Sequence, residues 1–240
     1  MEMAILMMRL DKYLADMSVG TRTEVKKYIR QGKVTVDGMV VKEPERKVDI
    51  SNETVCFNGQ AVCYQEYEYY MLNKPAGVVS ATEDKRDKTV LDLIDSKCRK
   101  DLFPVGRLDK DTEGLLLITN DGDLAHRLLS PKKHVDKVYY ARIEGVVTEE
   151  DVGKFSKGLS IGEKEVTKPA LLNILVSDEI SEIKLTIQEG KFHQVKRMFE
   201  AVDKKVIYLK RLSMGTLQLD ENLALGEYRK LTKEELEQLC

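Results

Sequence analysis

The sequence predicts an α+β protein in which a small N-terminal domain, residues 8–66, precedes a larger domain, residues 67–240, built on a mixed, mainly antiparallel sheet. Two observations predict this fold class. Helical and then strand-like apolar patterns succeed one another within residues 9–60, and beyond residue 67 the predicted strands outnumber the helices. A length of 240 residues also allows a small domain followed by a medium one.

The composition is that of a folded protein with a heavily charged surface. Hydrophobic residues make up 42% and charged residues 33% of the chain, against a usual charged share of roughly 25%. No apolar run approaches the roughly 20 residues that a membrane span needs. Glu2 stands where a secretory signal would carry Lys or Arg. We therefore expect a cytoplasmic protein that contacts no membrane.

The net charge conceals local asymmetry. The chain has 39 Lys and Arg against 41 Asp and Glu, a net charge of −2, which argues against a simple polycationic nucleic-acid binder. Residues 22–33 and 189–211, however, each carry a net charge of +4, and residues 220–240 are acidic. Binding to an anionic partner is therefore expected to be local.

The N-terminal domain is predicted to contain two short helices and a hairpin. Apolar residues at helical spacing predict a helix over Leu10–Met17. A capping box formed by Thr21 and Glu24 predicts the start of a second helix, and Gly32 is placed to end it. The central Asp-Gly of Val34–Val41 predicts a hairpin with a type I′ turn.

Five basic side chains surround the second predicted helix: Arg22, Lys26, Lys27, Arg30 and Lys33. They can form an ordinary solvated helix face or an RNA-binding face. The segments 9–14, 21–22 and 29–38 resemble the αL RNA-binding domain of a small-subunit ribosomal protein, of tyrosyl-tRNA synthetases and of several RNA-modifying enzymes. The resemblance implies that these five residues contact RNA.

The larger domain is predicted to contain five strands and three short helices. Strands are expected at 69–72, 115–119, 138–143, 183–187 and 206–209, and helices at 90–94, 124–129 and 195–202. Because the two types do not alternate regularly, the pattern favours α+β over a doubly wound parallel sheet.

The most informative segment of this domain, residues 106–122, is a turn that carries two neighbouring carboxylates. Asp109 and Asp111 precede an apolar strand that begins at Leu115. Paired carboxylates permit general acid–base chemistry, whereas aspartates in turns commonly accept backbone hydrogen bonds. The residues alone favour the structural role, and no second acidic cluster supports a Mg²⁺ site.

Four motifs follow one another along the larger domain: Asn73-Lys74-Pro75-x-Gly77, the segment Gly106-Arg107-Leu108-Asp109 with its continuation to Gly122, Lys137-Val138-Tyr139, and Glu189 to Phe199. Together they resemble the motifs of pseudouridine synthases of the RsuA type. With the N-terminal domain, the resemblance spans residues 8–240. It implies an isomerase that detaches uracil from ribose at nitrogen one, turns the base and rejoins it through carbon five.

The resemblance implies that Asp109 is the catalytic carboxylate. An anion beside the anomeric carbon can act as a nucleophile, stabilise positive charge or remove a ribose proton, and the sequence leaves these roles open. The resemblance implies a cationic partner from the last motif, for which Lys196 is preferred and Arg197 is the alternative. Adjacent residues of a helix point about 100° apart, so the two cannot both face the same carboxylate. Tyr139 is expected to stack on uracil, whereas Tyr140 faces the other side of the strand.

Three further basic residues are expected to contact RNA on the same grounds: Arg107, Lys74 and Arg197. Arg107 resembles the residue that fills the gap left by the extruded uridine, which offsets part of a flipping cost of a few kcal/mol. A salt bridge from Arg107 to Asp111 or Glu113 is the alternative. His193 could titrate near neutrality, but we expect it to form a structural hydrogen bond.

No metal-ligand pattern is present among the cysteines and histidines. The cysteines form no C-x-x-C pair and the histidines are scattered: Cys56, Cys63, Cys98, Cys240, His126, His134 and His193. The implied isomerisation is redox-neutral and needs no activated donor. We therefore expect reduced thiols, no metal and no organic cofactor.

The last motif and residues 166–170 look closer to the enzymes that modify small-subunit (16S) ribosomal RNA than to their large-subunit relatives. We expect a monomer that modifies 16S rRNA within a partly assembled small subunit. The alternatives are a synthase for large-subunit (23S) rRNA and a non-catalytic RNA-binding assembly protein, which would be expected to lack Asp109, Tyr139 and Lys196. A hydrolase using Asp109 and Asp111 is disfavoured because both lie in one turn.

Overall fold

The computed structural model describes residues 6–162 and 166–239, and the chain divides into two compact units. The N-terminal unit extends to Glu68 and includes Ser96–Leu102, and the C-terminal unit comprises Tyr69–Asp95 and the chain from Phe103 onward. The segment Ser96–Leu102 groups with the first unit because Glu68 accepts backbone hydrogen bonds from Cys98 (3.0 Å) and Arg99 (2.9 Å). The sequence pattern does not predict this grouping.

The N-terminal unit packs two helices against short strands. Its elements are β1 (Met7–Arg9), α1 (Leu10–Asp16), α2 (Arg22–Arg30), β2 (Val34–Val36), β3 (Met39–Val40), β4 (Lys47–Asp49), β5 (Val55–Phe57) and β6 (Gln60–Ala61). Strands β3-β2-β5-β6 form one sheet, and β1 pairs with β4. Apolar residues of both helices and of β2 are fully buried in one core.

The local predictions for this unit are confirmed. Thr21 accepts a hydrogen bond from the Glu24 amide, and the Glu24 carboxylate accepts one from the Thr21 amide. Gly32 has φ +75°, as expected after a helix end. The hairpin turn places Asp37 and Gly38 at φ +49° and +78°, as a type I′ turn requires.

The resemblance begins at residue 8 and assigns no role to residues 1–7. Met7 instead pairs with Asp49 in the small β1–β4 sheet, and the Leu6 carbonyl accepts a hydrogen bond from the Ile50 amide. Residues 1–5 lie outside the described part of the chain. Within residues 6–162 and 166–239, no helix has the length and apolarity to cross a bilayer.

The C-terminal unit is built on one nine-stranded sheet. Its strands are β7 (Tyr69–Lys74), β8 (Phe103–Pro104), β9 (Glu113–Thr119), β10 (Lys137–Glu144), β11 (Leu171–Val176), β12 (Ile180–Ile187), β13 (Lys205–Met214), β14 (Leu217–Gln218) and β15 (Tyr228–Lys230). Its helices are α3 (Gly122–Leu129), α4 (Glu149–Phe155), α5 (Gln194–Glu200) and α6 (Lys233–Leu239).

The strand order is β11-β12-β10-β13-β9-β7-β15, with β8 beside β9 and β14 beside β13. All pairs are antiparallel except β13 with β9, so the predicted mixed, mainly antiparallel sheet is confirmed. The predicted helix at 90–94 is instead a 3₁₀ turn over Val90–Leu93. Its capping box satisfies the first turn without an α-helical continuation.

The parallel pair joins the two halves of the sheet at Gly114. This glycine lies opposite Arg211 at φ +98°, and a Cβ there would stand 2.8 Å from the Arg211 amide nitrogen and closer still to its carbonyl oxygen. Only glycine allows this approach. The contact brings the turn that precedes β9 beside the strands β10 and β13.

Candidate active site

The turn between β8 and β9 presents two carboxylates that differ in exposure. The side chain of Asp109 is 23% exposed and that of Asp111 is 72% exposed. The turn is fixed from beneath, because the Ser80 hydroxyl donates to the Leu108 carbonyl (2.9 Å) and accepts from the Leu108 amide (3.1 Å). The Thr112 amide also donates to the Asp109 carbonyl at 3.1 Å.

Lys74 stands at the end of β7 and is fully buried under the same turn. Its Nζ donates to the backbone carbonyls of Thr112 (2.8 Å), Pro75 (3.0 Å), Asp109 (3.1 Å) and Lys110 (3.3 Å). Burial lowers the pKa of Lys74 to about 8, although nearby carboxylates act to raise it. The ammonium therefore holds the shape of the turn that carries Asp109.

Lys196, on helix α5, joins both carboxylates. Its Nζ lies 3.1 Å from Oδ2 of Asp109 and 2.6 Å from Oδ1 of Asp111. Burial acts to lower the pKa of Lys196, but the hydrogen bonds and charges of Asp111 and Asp109 raise it above its ordinary value. Burial likewise acts to raise the pKa of Asp111, yet Lys196 keeps it below its usual range. The lysine is therefore a fixed positive charge beside Asp109.

The other carboxylate oxygen of Asp109 faces a histidine. His193 Nε2 lies 3.6 Å from Asp109 Oδ1, and the His193 backbone is left-handed at φ +48° at the start of α5. The Phe192 ring stacks on the imidazole at a centroid separation of 3.8 Å. His193 and Lys196 therefore approach different oxygens of the Asp109 carboxylate, and the Phe192 ring lies against the imidazole.

Tyr139 is buried on β10 and faces the same pocket as Asp109. Tyr140 points to the opposite face of the sheet, where it meets Tyr208 edge-on at 6.0 Å. The expected alternation of these two tyrosines is therefore present.

The pocket is a small open cleft, and its polar walls come from three parts of the sequence: Arg107, Asp109, Thr112, Tyr139, Lys191, His193 and Lys196. A carboxylate beside a fixed cation in a cleft can act as a nucleophile, accept a proton or stabilise positive charge that develops on a substrate. Among the described residues, no group of three or more His, Cys, Asp or Glu side chains is arranged to hold a metal ion.

Comparisons with known proteins agree on one family. The model of the RNA pseudouridylate synthase family matches residues 68–201, and that of the S4 domain matches residues 8–55. The chain belongs to the RNA pseudouridylate synthase family. It is an isomerase that acts on RNA and carries an N-terminal S4 domain.

Full-length relatives support the family. The synthase is 52% identical to the uncharacterized RNA pseudouridine synthase YtzG of Bacillus subtilis, with 95% of this chain and 97% of the relative covered. It is 42% identical to ribosomal small subunit pseudouridine synthase A of Salmonella typhimurium, with 95% and 98% covered. A crystal structure of a pseudouridylate synthase superposes with a TM-score of 0.68 at 40% identity, covering 97% of this chain and all of that one.

The fold of the synthase brings four of the predicted site residues to one cleft: Arg107, Asp109, Tyr139 and Lys196. Arg107 is exposed, and no ion pair of Arg107 is found within residues 6–162 and 166–239, so the alternative salt bridge to Asp111 or Glu113 does not form. The catalytic roles of these residues remain predictions.

The structure corrects one predicted RNA contact of the synthase and decides against the alternative cationic partner of Asp109. Lys74 cannot reach RNA, because its ammonium is buried and donates to backbone carbonyls. Arg197 is not the partner of Asp109, because its guanidinium donates to the Phe192 carbonyl (3.0 Å) and to the Ile161 carbonyl. Lys74 is the last residue of β7, two positions after the apolar run that ends at Leu72, and that position was the available signal for its burial.

The basic face of the S4 domain is organised by a buried carboxylate that the sequence did not single out. Asp11 is fully buried and binds Arg9 at 2.8 Å, with Arg22 and Lys26 at 3.7 and 3.8 Å. Burial acts to raise the pKa of Asp11, but the hydrogen bond and charge of Arg9 and the charge of Arg22 hold it below its usual value. The carboxylate therefore fixes basic side chains of α2 against α1.

The remaining residues of the predicted basic face differ in their surroundings. Lys33 lies over the Tyr28 ring, with its Nζ 5.2 Å from the centroid. Lys27 and Arg30 are exposed, and in the part of the chain that the structure describes neither forms an ion pair. Among the described residues, no disulfide joins Cys56, Cys63 or Cys98, and Cys240 lies outside them.

Proposed function

We propose that this synthase converts a uridine of small-subunit (16S) ribosomal RNA to pseudouridine, with Asp109 as the catalytic carboxylate. The observation that carries the catalytic assignment is the Asp109–Lys196 pair, 3.1 Å apart, in a cleft that Tyr139 also lines. The substrate assignment is supported by the full-length similarity to proteins named ribosomal small subunit pseudouridine synthase A.

The geometry supports a different role for each side chain around the target nucleotide. Asp109 acts at the anomeric carbon while the glycosidic bond breaks, and the Lys196 ammonium, 3.1 Å away, orients the carboxylate. The Tyr139 ring holds the detached uracil while it turns from nitrogen one to carbon five. Arg107, exposed at the rim, occupies the place that the flipped uridine leaves in the RNA.

The setting of the reaction follows from the same assignment. The S4 domain holds the RNA through Arg22, Lys26, Lys27, Arg30 and Lys33. The synthase acts as a monomer in the cytoplasm, on rRNA in a partly assembled small subunit, where the target uridine is still accessible.

The test is to map pseudouridine in ribosomal RNA by reverse transcription in a strain that lacks the gene. Wild-type protein should restore one missing mark in 16S rRNA, and Asp109→Asn should not, because the amide is neither a nucleophile nor an anion. Asp111→Asn is the matched control, since Asp111 also binds Lys196 but lies largely in solvent. It should restore the mark.

Two outcomes would contradict parts of the proposal. Restoration of the mark by Asp109→Asn would remove the catalytic assignment. A missing mark in 23S rRNA would make the substrate wrong and leave the chemistry intact.

A further inference from the structure

Phe192 stands at the rim of the catalytic cleft with its ring in water. Its exposure of 73% is the highest among the large apolar side chains that are exposed in the described residues. It lines a groove together with Arg107, Asp109 and His193. Isolated exposed apolar residues are common on protein surfaces, so exposure alone does not assign Phe192 a role.

The loop that presents Phe192 is braced on several sides. Arg197 donates to the Phe192 carbonyl at 3.0 Å. The Gln194 side chain accepts from the Lys191 amide (2.9 Å) and donates to Glu189 (2.8 Å). Glu189, itself buried, also accepts from the Lys168 amide at 2.8 Å. The exposure of Phe192 is therefore imposed by a fixed backbone.

The Phe192 ring is also fixed relative to the catalytic carboxylate. One face stacks on His193 at 3.8 Å and an interplanar angle of 19°, and His193 Nε2 lies 3.6 Å from Asp109. Because the ring remains mostly exposed, its other face is open to solvent. An aromatic face stacked on a histidine that itself lies beside Asp109 is a preorganised stacking surface.

We propose that Phe192 is a positioning residue that stacks on an RNA base adjacent to the flipped uridine; this rests on the proposed action on a uridine within RNA. Extruding a nucleotide leaves its neighbours with an unstacked face, and an aromatic side chain can cover that face whatever the base. Arg107 and Phe192 line the same groove, so Arg107 can fill the gap left by the uridine while Phe192 stacks on the neighbouring base.

The test measures RNA affinity separately from chemistry. The RNA is a fragment that contains the uridine identified by mapping, in whichever ribosomal RNA it lies, so an error in the substrate assignment leaves this test in place. Phe192→Ala should weaken binding about tenfold in the inactive Asp109→Asn background, and Phe192→Tyr should bind within about twofold of the parent. In the otherwise wild-type enzyme, Phe192→Ala should raise KM while kcat at saturating RNA stays within about threefold.

A spectroscopic readout reports the stack itself. Two RNAs carry the fluorescent base 2-aminopurine, one on the 5′ side and one on the 3′ side of the target uridine. In one of them, the fluorescence should stay quenched in the complex with the parent protein and should be brighter in the complex with Phe192→Ala. Leu171→Ala is the control, because Leu171 is another exposed apolar residue (59%) on strand β11. It should change neither affinity nor fluorescence.

A double-mutant cycle separates stacking on RNA from an effect transmitted through His193. In the His193→Ala background, Phe192→Ala should still weaken binding about tenfold. Disappearance of the effect there, or unchanged affinity and fluorescence with Phe192→Ala alone, would overturn the proposal.

Discussion

Lys74 belongs to one of the family motifs, but its side chain stabilises the backbone of the turn that carries Asp109. Its ammonium has three N–H donors and four carbonyl acceptors within 3.3 Å, and all of these acceptors lie on Pro75 or in the Asp109 turn. A buried charge in such a place is tolerated because every proton has a partner. The geometry of Asp109 therefore depends on the protonation of Lys74.

We expect activity to fall as the pH rises through about 8, the pKa of Lys74. The neutral amine keeps two donors for four carbonyls, so the turn loosens. The stability effect has the opposite sign: between about 8 and the ordinary value of 10.5, the unfolded state keeps a proton that the folded state has lost, and the free energy of unfolding rises with pH.

The measurements for Lys74 are kcat/KM and urea unfolding between pH 6.5 and 9.5, spanning about 1.5 units on either side of the shifted pKa. Lys110→Met is the control, because Lys110 belongs to the same turn but is exposed and pairs with Asp87. It should keep the alkaline decline. Constant activity of the wild-type enzyme from pH 7 to 9 would contradict this role, because about four-fifths of a group with that pKa changes protonation over that interval.

At the scale of elements, the cleft depends on the parallel contact between β9 and β13. These strands are joined through two residue pairs, and Arg211 donates from Nε to the Leu115 carbonyl at 2.8 Å. Gly114 makes the approach possible. Without it, the turn with Asp109 and the strand with Tyr139 would separate.

Gly114→Ala should lower the free energy of unfolding by about 3 kcal/mol or more, since the added Cβ meets backbone atoms at a positive φ. Urea denaturation monitored by circular dichroism measures the loss. Gly122→Ala is the matched control, because no atom lies within 4 Å of a Cβ at this first position of α3. It should be neutral within about 0.5 kcal/mol or slightly stabilising. Equal effects of both substitutions would contradict the argument.

The helix-capping and turn predictions succeeded at this scale because they concern residues close in sequence. The Thr21 capping box joins residues three positions apart, and the Asp-Gly hairpin pairs Val36 with Met39 and Thr35 with Val40, three and five positions apart. The pairing of β9 with β13 joins Gly114 to Arg211, and no local pattern encodes it. Which strands lie next to each other in the sheet could therefore be learned only from the tertiary structure.

At the scale of the whole molecule, the net charge of −2 accommodates a basic face on the S4 domain. Asp11 holds Arg22 and Lys26 in place, whereas Lys27 and Arg30 are exposed. Because phosphate contacts release counterions, such a face should make RNA binding depend on salt through a small number of contacts.

Lys27→Glu with Arg30→Glu should weaken RNA binding and lower the slope of log K against log salt by about 1.5, because two phosphate contacts are lost. Filter binding between 50 and 300 mM salt measures the slope. The Debye length falls by a factor of about 2.4 over this range, so the screening of the contacts changes substantially. Lys154→Glu with Lys157→Glu makes the same change in net charge on and beyond α4 and should leave the slope unchanged. Equal slopes for the two double variants would remove the S4 face from RNA binding.

The sequence by itself determined the α+β class, the local elements of the N-terminal domain and the motifs that mark the synthase family, because each is carried by periodicity or by residues near one another in the chain. Only the tertiary structure decided between Lys196 and Arg197, since the orientation of α5 directs one side chain to Asp109 and the other to Ile161 and Phe192.

The tertiary structure also shows that Lys74, which was expected to contact RNA, supports the turn instead. It further shows that Ser96–Leu102 groups with the N-terminal unit. Both outcomes depend on burial and on hydrogen bonds between residues about 30 or more positions apart. Such contacts satisfy polar groups in three dimensions, and the order of residues along the chain does not reveal which groups will meet.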